Sequence, residues 1–257
     1  MPQEIKPYDQ QAEKGDQVRT MFDRIALRYD LLNHLLSMGV DRSWRRRTVQ
    51  RVKAVVGEDT EGGLWAKENG LSPKILDVAT GTGDLALMLA RAIPEARITG
   101  VDLSSGMLKI ATRKVACGNL GGRIALCKAD VTALPFSDGG FDAVTVAFGV
   151  RNFEQIGAGL AEMARVLRPD GKLYVLEFSM PANKVIGSLY AFYFRKMLPW
   201  IGGVISGERQ AYRYLQRSVE AFPYGDRFER MLLDAGFSQA GQARWTSGLV
   251  TLYTATK

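Results

Sequence analysis

Cysteine, histidine and long apolar runs are scarce in this sequence of 257 residues, and each scarcity excludes a class of protein. The two cysteines, Cys117 and Cys127, lack CxxC spacing and are too few for a disulfide framework or a cysteine-bound metal. No apolar run approaches the roughly 20 residues that span a bilayer, and the polar N-terminus lacks the apolar core of a signal peptide. We therefore expect no metal site and a cytoplasmic protein, with peripheral contact at the inner face of the plasma membrane left open.

Acidic residues are outnumbered by basic ones, 27 to 34, which gives a net charge of +7 and an isoelectric point near 9.4. Such a balance favours an anionic partner, whether nucleic acid, acidic lipid or an anionic substrate. Part of this charge lies between residues 42 and 53, which include six Lys and Arg residues. This stretch is typical of a solvated helix surface, and a patch that faces phospholipid is the alternative.

The chain is organised around residues 74–91, where an apolar strand runs into a glycine loop and then a helix. Residues 75–78 are apolar apart from Asp77, Gly81 and Gly83 follow, and leucines then recur at helical spacing. This order predicts the opening unit of a ligand-binding crevice in an α/β sheet. Glycine at these two positions allows positive φ angles and a close approach of a ligand to the backbone.

The same glycine loop also satisfies the dinucleotide fingerprint, so the neighbouring charges have to decide its ligand. A pyrophosphate needs a helix N-terminus free of competing anions, whereas Asp84 stands in the first helical turn and Asp77 just before the loop. This acidity suits a cationic ligand such as S-adenosylmethionine, which carries a sulfonium and an ammonium. Asp102, at the end of the next predicted strand, can hold both ribose hydroxyls. The alternative is a plain strand-turn-helix unit whose acids cap the helix.

Two further predicted strands end beside polar residues. Residues 124–128 are followed by Asp130 and Val131, and this carboxylate can accept the adenine amino group; a solvated loop acid is the alternative. Residues 141–148 are followed by Arg151 and Asn152, at the strand end where open α/β sheets bind their ligands, so both are candidates for contact with the substrate. The alternative for Arg151 is a surface arginine paired with an adjacent glutamate.

We expect residues 1–16 to form a mobile tail and residues 17–257 a single domain. Residues 17–56 have helical periodicity and precede the sheet, as a lid over the crevice would, and residues 74–180 form the cofactor-binding half. Residues 181–205 are aromatic with basic residues between them, which fits a segment facing an apolar substrate or a membrane, with core packing as the alternative. Residues 206–257 are predicted to form helices and a closing β-hairpin.

Several stretches resemble the C-methyltransferases of ubiquinone and menaquinone biosynthesis, a family within the class I S-adenosylmethionine-dependent methyltransferases. Residues 29–44 contain a Tyr-Asp pair and Trp44 at the family's spacings, and residues 148–152 and 165–179 carry further matching motifs. The resemblance implies a Rossmann-like α/β fold. It predicts a seven-stranded, mostly parallel sheet with one antiparallel strand near the C-terminus, helices on both faces and an N-terminal helical lid.

The resemblance also implies roles for residues of this sequence. Those expected to bind S-adenosylmethionine are in the glycine loop and at the strand ends, namely Asp77, Gly81, Thr82, Gly83, Asp102, Asp130 and Val131. Those expected to form the lid and contact the substrate are Tyr29, Asp30 and Asn33. Two departures from the family pattern are Asp41, where the family has His, and Asp170, where a second Gly is usual.

The implied reaction moves the sulfonium methyl group to a ring carbon of a prenylated quinol. Demethylmenaquinol is favoured as the substrate, and a polyprenyl benzoquinol of ubiquinone synthesis is the alternative. A phenol titrates near pKa ~10, so a cation or donor at its oxygen favours the reactive phenolate, and we assign this catalytic role to Arg151 and Asn152.

Other functions and assemblies stay open from the sequence. A nucleic acid acceptor is disfavoured because no Asn/Asp-Pro-Pro-Tyr motif follows the fourth strand. A methyltransferase acting on another acceptor and a non-catalytic quinone-binding protein are the remaining alternatives. The assembly is left open between a homodimer and a quinone-biosynthesis complex.

Overall fold

The structure is a computed structural model that describes residues 5–8, 11–36, 39–57, 72–181 and 209–257. Side chains are described in these ranges except at positions 27–28, 31–36, 209 and 212. The predicted aromatic segment at 181–205 lies outside the described residues, apart from Pro181.

Seven strands form one sheet in these ranges, in the order β3-β2-β1-β4-β5-β7-β6. Their bounds are β1 Lys74–Val78, β2 Arg97–Asp102, β3 Ile124–Lys128, β4 Phe141–Ala147, β5 Leu167–Phe178, β6 Gln239–Trp245 and β7 Val250–Thr256. The first five strands pair in parallel, and β7 runs antiparallel to both β5 and β6. This confirms the predicted mostly parallel sheet with one antiparallel strand near the C-terminus.

Helices cover both faces of the sheet. Their bounds are α1 Lys14–Leu36, α2 Val40–Val56, α3 Asp84–Ala92, α4 Ser105–Cys117, α5 Ile156–Val166, α6 Arg209–Ala221 and α7 Asp226–Asp234, and a short 3-10 turn, Val150–Asn152, follows β4. The first helix begins at Lys14, inside the segment predicted to be a tail, so the predicted boundary at residue 16 is too late. The buried Lys14 ammonium donates to the Phe153 carbonyl at 2.7 Å and thereby anchors the first turn.

Strand β1 shows why both faces of the sheet need helices. Ile75 packs in one apolar cluster with Trp44 of α2 and Leu89 of α3. Leu76, its neighbour, packs in the opposite cluster with Leu160 of α5. Successive residues of a strand point to opposite faces, so a central parallel strand that is apolar on both sides is buried on both sides.

The two N-terminal helices differ in what they cover. Helix α2 buries Trp44, Val49, Val52 and Val56 and contacts α3, β4 and β5, so it belongs to the core. Helix α1 contacts α4 and lines a cleft at the carboxyl edge of the sheet. Within residues 17–56, which were predicted as a lid, α1 therefore borders the cleft, whereas α2 buries its apolar face against the sheet.

The sequence Arg-Pro-Asp-Gly at residues 168–171, which has the composition of a turn, lies within β5. Phe141 pairs with Leu167 and the next pair joins Ala143 to Lys172, so β5 carries extra residues between two registers. Asp170 has a φ angle of +63° there, a left-handed conformation that glycine adopts most easily. This conformation accounts for the glycine that is usual at the same position in the family.

Candidate active site

The glycine loop between β1 and α3 borders the cleft. Its backbone turns sharply because Ala79, Gly81 and Gly83 take positive φ angles of 51°, 58° and 83°. The Gly83 amide donates to the Thr80 carbonyl at 2.9 Å, which closes the turn. A Cβ atom at Gly81 would meet no atom within 4 Å, so the backbone at this residue is accessible to a ligand.

Asp77 lies beneath the loop and does not line the cleft. Its carboxylate accepts hydrogen bonds from Thr80 Oγ1 at 2.6 Å and Thr145 Oγ1 at 2.7 Å. Burial, which these two hydrogen bonds only partly offset, raises the pKa of Asp77 to about 6. The side chain therefore braces the loop against β4, whereas the sequence suggested that it binds the cofactor.

Asp102 ends β2 and lines the cleft. Its Oδ2 atom accepts from the Gly81 amide at 2.8 Å, and its Oδ1 atom accepts from the Ser104 amide at 2.8 Å. Burial raises the pKa of this carboxyl, and the amide donors act in the opposite direction. Because a carboxylate oxygen has two lone pairs, the fixed group can still accept hydrogen bonds from two adjacent hydroxyls.

Asp130 and Val131 follow β3 and line the cleft as well. Oδ1 of Asp130 accepts from both the amide and the hydroxyl of Thr132, each at 2.8 Å, which orients the carboxylate. Apolar residues complete this part of the wall, namely Val101, Leu103, Met107 and Val131. An apolar wall with an acceptor at its end suits a flat heterocycle that carries an amino group.

Arg151 and Asn152 are neighbours in sequence but occupy different places. Asn152 lines the cleft. Arg151 is buried outside it, where its Nη1 atom donates to the Phe148 carbonyl at 2.6 Å and to Glu177 Oε1 at 2.7 Å. The alternative pairing of Arg151 with the adjacent Glu154 is wrong, because Glu154 accepts from a backbone amide of α1 instead.

Helix α1 forms one wall of the cleft and supplies residues that the sequence did not single out. Arg19 and Phe22 line the cleft with Tyr29, and the rings of Phe22 and Tyr29 meet edge to face with centroids 5.9 Å apart. The spacing of Phe22 from Tyr29 was an available signal, since a residue seven positions earlier returns to nearly the same helix face. Asn33 also belongs to α1, but its side chain is outside the described part.

Thr82 and Asp30 meet outside the cleft. The Thr82 hydroxyl donates to Asp30 Oδ1 at 2.6 Å, and neither side chain lines the cleft. The Thr82 hydroxyl, which the sequence assigned to the cofactor, is thus engaged with helix α1.

The hydrogen-bond acceptors and the apolar wall of the cleft fit S-adenosylmethionine. Asp102 offers acceptors for ribose hydroxyls, Asp130 one for an adenine amino group, and the wall between them is apolar. A pyrophosphate fits poorly, because the Gly81 amide that would bind it already donates to a carboxylate. Within the described ranges, no group of three or more His, Cys, Asp and Glu residues could hold a metal ion.

Known proteins resemble this chain over most of its length. A demethylmenaquinone methyltransferase of Bacteroides fragilis is 40% identical over 257 residues, which cover 100% of this chain and 99% of the relative. A ubiquinone/menaquinone biosynthesis C-methyltransferase UbiE of Geobacter sulfurreducens is 44% identical over 246 residues, which cover 95% of this chain and 90% of the relative. A solved SAM-dependent methyltransferase of Thermotoga maritima, 16% identical, covers 93% of this chain and 99% of its own length with a TM-score of 0.60, which shows the shared fold.

The family model extends this likeness over nearly the whole sequence. The model of the ubiE/COQ5 methyltransferase family matches residues 10–257, which include every strand of the sheet, the glycine loop and helix α1. The chain belongs to the ubiE/COQ5 methyltransferase family.

Proposed function

We propose that the protein transfers the methyl group of S-adenosylmethionine to a ring carbon of demethylmenaquinol. The family supplies the reaction class and the cofactor, and the name of the B. fragilis relative supports the naphthoquinol acceptor. The observation that carries the proposal is the cleft itself, in which Asp102 and Asn152 stand at the carboxyl ends of β2 and β4. A polyprenyl benzoquinol is the second candidate, because the name of the G. sulfurreducens relative includes both pathways.

Asp102, Asp130 and the backbone at Gly81 would hold S-adenosylmethionine. The cofactor supplies an electrophilic methyl group on its sulfonium. Asp102 is already oriented by two backbone amides and Asp130 by Thr132, so both acceptors are fixed before a ligand arrives. Such prior order lowers the entropy cost of binding.

Asn152 is the residue that we place against a ring hydroxyl of the quinol. Its side-chain amide can donate and accept, and its contact with the Phe148 carbonyl is long, with Nδ2 at 3.5 Å. A donor at the ring oxygen stabilises a phenolate, whose conjugate phenol has an ordinary pKa of about 10. The phenolate in turn makes the ring carbon a stronger nucleophile.

Arg151 is better placed to position this turn than to touch the quinol. Its guanidinium holds the carbonyl of Phe148, a residue with a φ angle of +60°, and its backbone amide donates to Glu177 Oε2 at 3.4 Å. A buried ion pair that is hydrogen-bonded to the backbone fixes the path of the chain leading to Asn152. Of the two residues assigned to catalysis from the sequence, we therefore propose substrate contact for Asn152 and a positioning role for Arg151.

Competition between two quinols tests the proposed acceptor. The protein is incubated with methyl-labelled S-adenosylmethionine and equal amounts of chemically reduced demethylmenaquinol and the corresponding polyprenyl benzoquinol. We expect the label to enter the naphthoquinol. Label in the benzoquinol alone would move the function to ubiquinone synthesis, and no label in either quinol, with cofactor binding intact, would overturn quinol methylation.

Variants of Asn152 test its proposed contact. Asn152→Ala should lower kcat by about 100- to 1,000-fold, as loss of a hydrogen-bond donor at a developing oxyanion does, and should leave cofactor affinity nearly unchanged. Asn152→Asp keeps the shape but sets a negative charge against the phenolate, so it should be the slower of the two. Steady-state kinetics and equilibrium binding of the cofactor separate these effects; a parallel loss of cofactor affinity would contradict the assignment.

We also propose that one face of α2 docks on anionic lipid at the cytoplasmic surface of the membrane, where a prenylated quinol resides. The exposed cations of this helix are Arg42, Arg46, Arg47, Arg51 and Lys53. The one acidic residue within this helix, Asp41, is buried in an ion pair with Arg45. Among the described helices, none has the length and apolarity to cross a bilayer.

Vesicle binding tests this surface. Arg46→Ala combined with Lys53→Ala should weaken binding to vesicles of mixed phosphatidylglycerol and phosphatidylcholine by about 1 kcal/mol for each cation removed. Lys109→Ala combined with Arg113→Ala, two exposed cations of α4, gives the same net charge and serves as the control. An equal loss in both double variants would show that net charge, and not the face of α2, determines binding.

A further inference from the structure

One ammonium group on α4 joins helix α1, the glycine loop and the first turn of α3. Lys114 Nζ lies 2.6 Å from Asp30 Oδ2 on α1 and 2.6 Å from Asp84 Oδ1 on α3. The same nitrogen donates to Thr82 Oγ1 of the glycine loop at 3.1 Å, and the Thr82 hydroxyl donates to Asp30 Oδ1. These three acceptors match the three donors of an ammonium. We call Asp30, Thr82, Asp84 and Lys114 the lid cluster.

The lid cluster is partly shielded from water, since the exposed fractions of the Lys114, Asp30 and Asp84 side chains are 27%, 31% and 30%. Charge interactions are screened less there than between fully exposed side chains. Without the ammonium, the carboxylates of Asp30 and Asp84 would face each other and repel. Lys114 therefore replaces a repulsion between α1 and the start of α3 with an attraction.

A second contact ties α1 to the opposite end of α4. Asp23 Oδ1 accepts from Ser104 Oγ at 2.6 Å and from the Gly106 amide at 2.8 Å. Ser104 is the N-cap of α4 and also donates its amide to Asp102. Helix α1 is thus held at both ends of α4, and Tyr29, next to Asp30, lines the cleft.

We propose that Lys114 is a positioning residue that couples closure of α1 to the glycine loop and thereby sets how long the cofactor stays bound. Movement of α1 away from the loop breaks the Lys114–Asp30 ion pair and the Thr82–Asp30 hydrogen bond together. Opening of the lid and release of the Thr82 hydroxyl are then one event. The inference rests on the proposed binding of S-adenosylmethionine in this cleft but not on the identity of the methyl acceptor.

The test is the dissociation rate of S-adenosylmethionine from the full chain in the absence of quinol. Lys114→Met removes the ammonium and keeps an apolar stem; dissociation should become about three- to tenfold faster. Lys114→Arg, which keeps the cation, should restore much of the slow rate. Lys109→Met, at an exposed lysine of the same helix, is the matched control and should leave the rate unchanged. The double variant Asp30→Asn/Lys114→Met should show non-additive effects, because both changes remove one interaction.

Hydrogen exchange distinguishes this role of Lys114 from one that only stabilises α4, because stabilising α4 alone would leave amide exchange in α1 unchanged. Amides of residues 14–30 should exchange faster in Lys114→Met, whereas those of β1 and β4 should not. Equal dissociation rates for Lys114→Met and Lys109→Met would overturn the proposal. If Lys114→Met does not fold, Asp30→Asn decides, since an unchanged rate in that variant overturns the proposal as well. If the cofactor dissociation rates of the variants are as predicted but no methyl group is transferred to a quinol, only the proposed acceptor is overturned and the role of Lys114 stands.

Discussion

Replacing Asp77 with Asn should remove a pH-dependent contribution to stability and should make the fold more stable at neutral pH. The side chain is 1% exposed, and burial raises its pKa to about 6 from an ordinary value of 3.8. Between these two values the unfolded chain has lost the proton while the folded protein keeps it, so stability falls as the pH rises through this window. The difference between the two values corresponds to a loss of about 3 kcal/mol that is complete above pH ~7. Asn has the same shape and no charge to desolvate.

Urea unfolding of the wild type and Asp77→Asn at several pH values measures this contribution. The other titrating groups largely cancel when the two proteins are compared at the same pH, so the difference between them should change by about 2 kcal/mol from pH 4 to pH 7.5 in favour of the variant. A mismatch of the new amide with the hydroxyls of Thr80 and Thr145 would change the unfolding free energy of the variant equally at every pH. It would therefore leave the pH dependence of the difference unchanged. A difference that does not vary with pH would refute the reasoning.

Two other changes probe the packing around the cleft. Glu177→Gln should destabilise the protein by about 3–5 kcal/mol, because it leaves the buried Arg151 guanidinium without the carboxylate that lies 2.7 Å away; urea unfolding measures the loss, and a loss under about 1 kcal/mol would argue against a buried ion pair. Gly149→Ala should cost about 1–3 kcal/mol, because its Cβ would stand 2.6 Å from Ala79 Cβ. Gly121→Ala, whose Cβ would meet nothing within 4 Å, is the control for thermal unfolding, and equal melting temperatures for the two variants would contradict the predicted clash.

The sheet could be predicted from the sequence because its strands have simple patterns. β1 and β4 are mostly apolar, as central parallel strands are, and the structure confirms both strands. The last two strands, β6 and β7, pair antiparallel on either side of Ser247 and Gly248, where the sequence predicts the hairpin turn. The start of α1 was placed too late, because the contact that anchors Lys14 is made with Phe153, and no local pattern reports it.

The residues predicted to bind the cofactor form two groups, those whose side chains line the cleft and those whose side chains do not. Asp102 and Asp130 line the cleft, because the carboxyl ends of parallel strands meet at one edge. Asp77 and Thr82 were expected to do the same, yet each is directed elsewhere by a residue distant in sequence. The partner of Asp77 on β4 is 68 positions away, and the Lys114 that holds Thr82 is 32 positions away. Such long-range pairings cannot be predicted from residue type and spacing.

Arg151 illustrates the same limit on the substrate side. A charged residue after β4 indicates a binding role, and its neighbour Asn152 does line the cleft. The side chain of Arg151 is instead held by Glu177, 26 positions away in the fifth strand. The acid that pairs with an arginine is set by the register of β4 and β5, which becomes known only with the fold.

The most direct test of quinol C-methylation in this cleft is the position of the transferred methyl group. Carbon-13 methyl S-adenosylmethionine is incubated with demethylmenaquinol and, separately, with the oxidised quinone, and the product is examined by nuclear magnetic resonance. We predict a methyl signal on a ring carbon, formed from the reduced quinol and absent with the quinone, because only the electron-rich ring is nucleophilic enough. A signal typical of a methyl ether, or equal labelling of the quinone, would contradict the account.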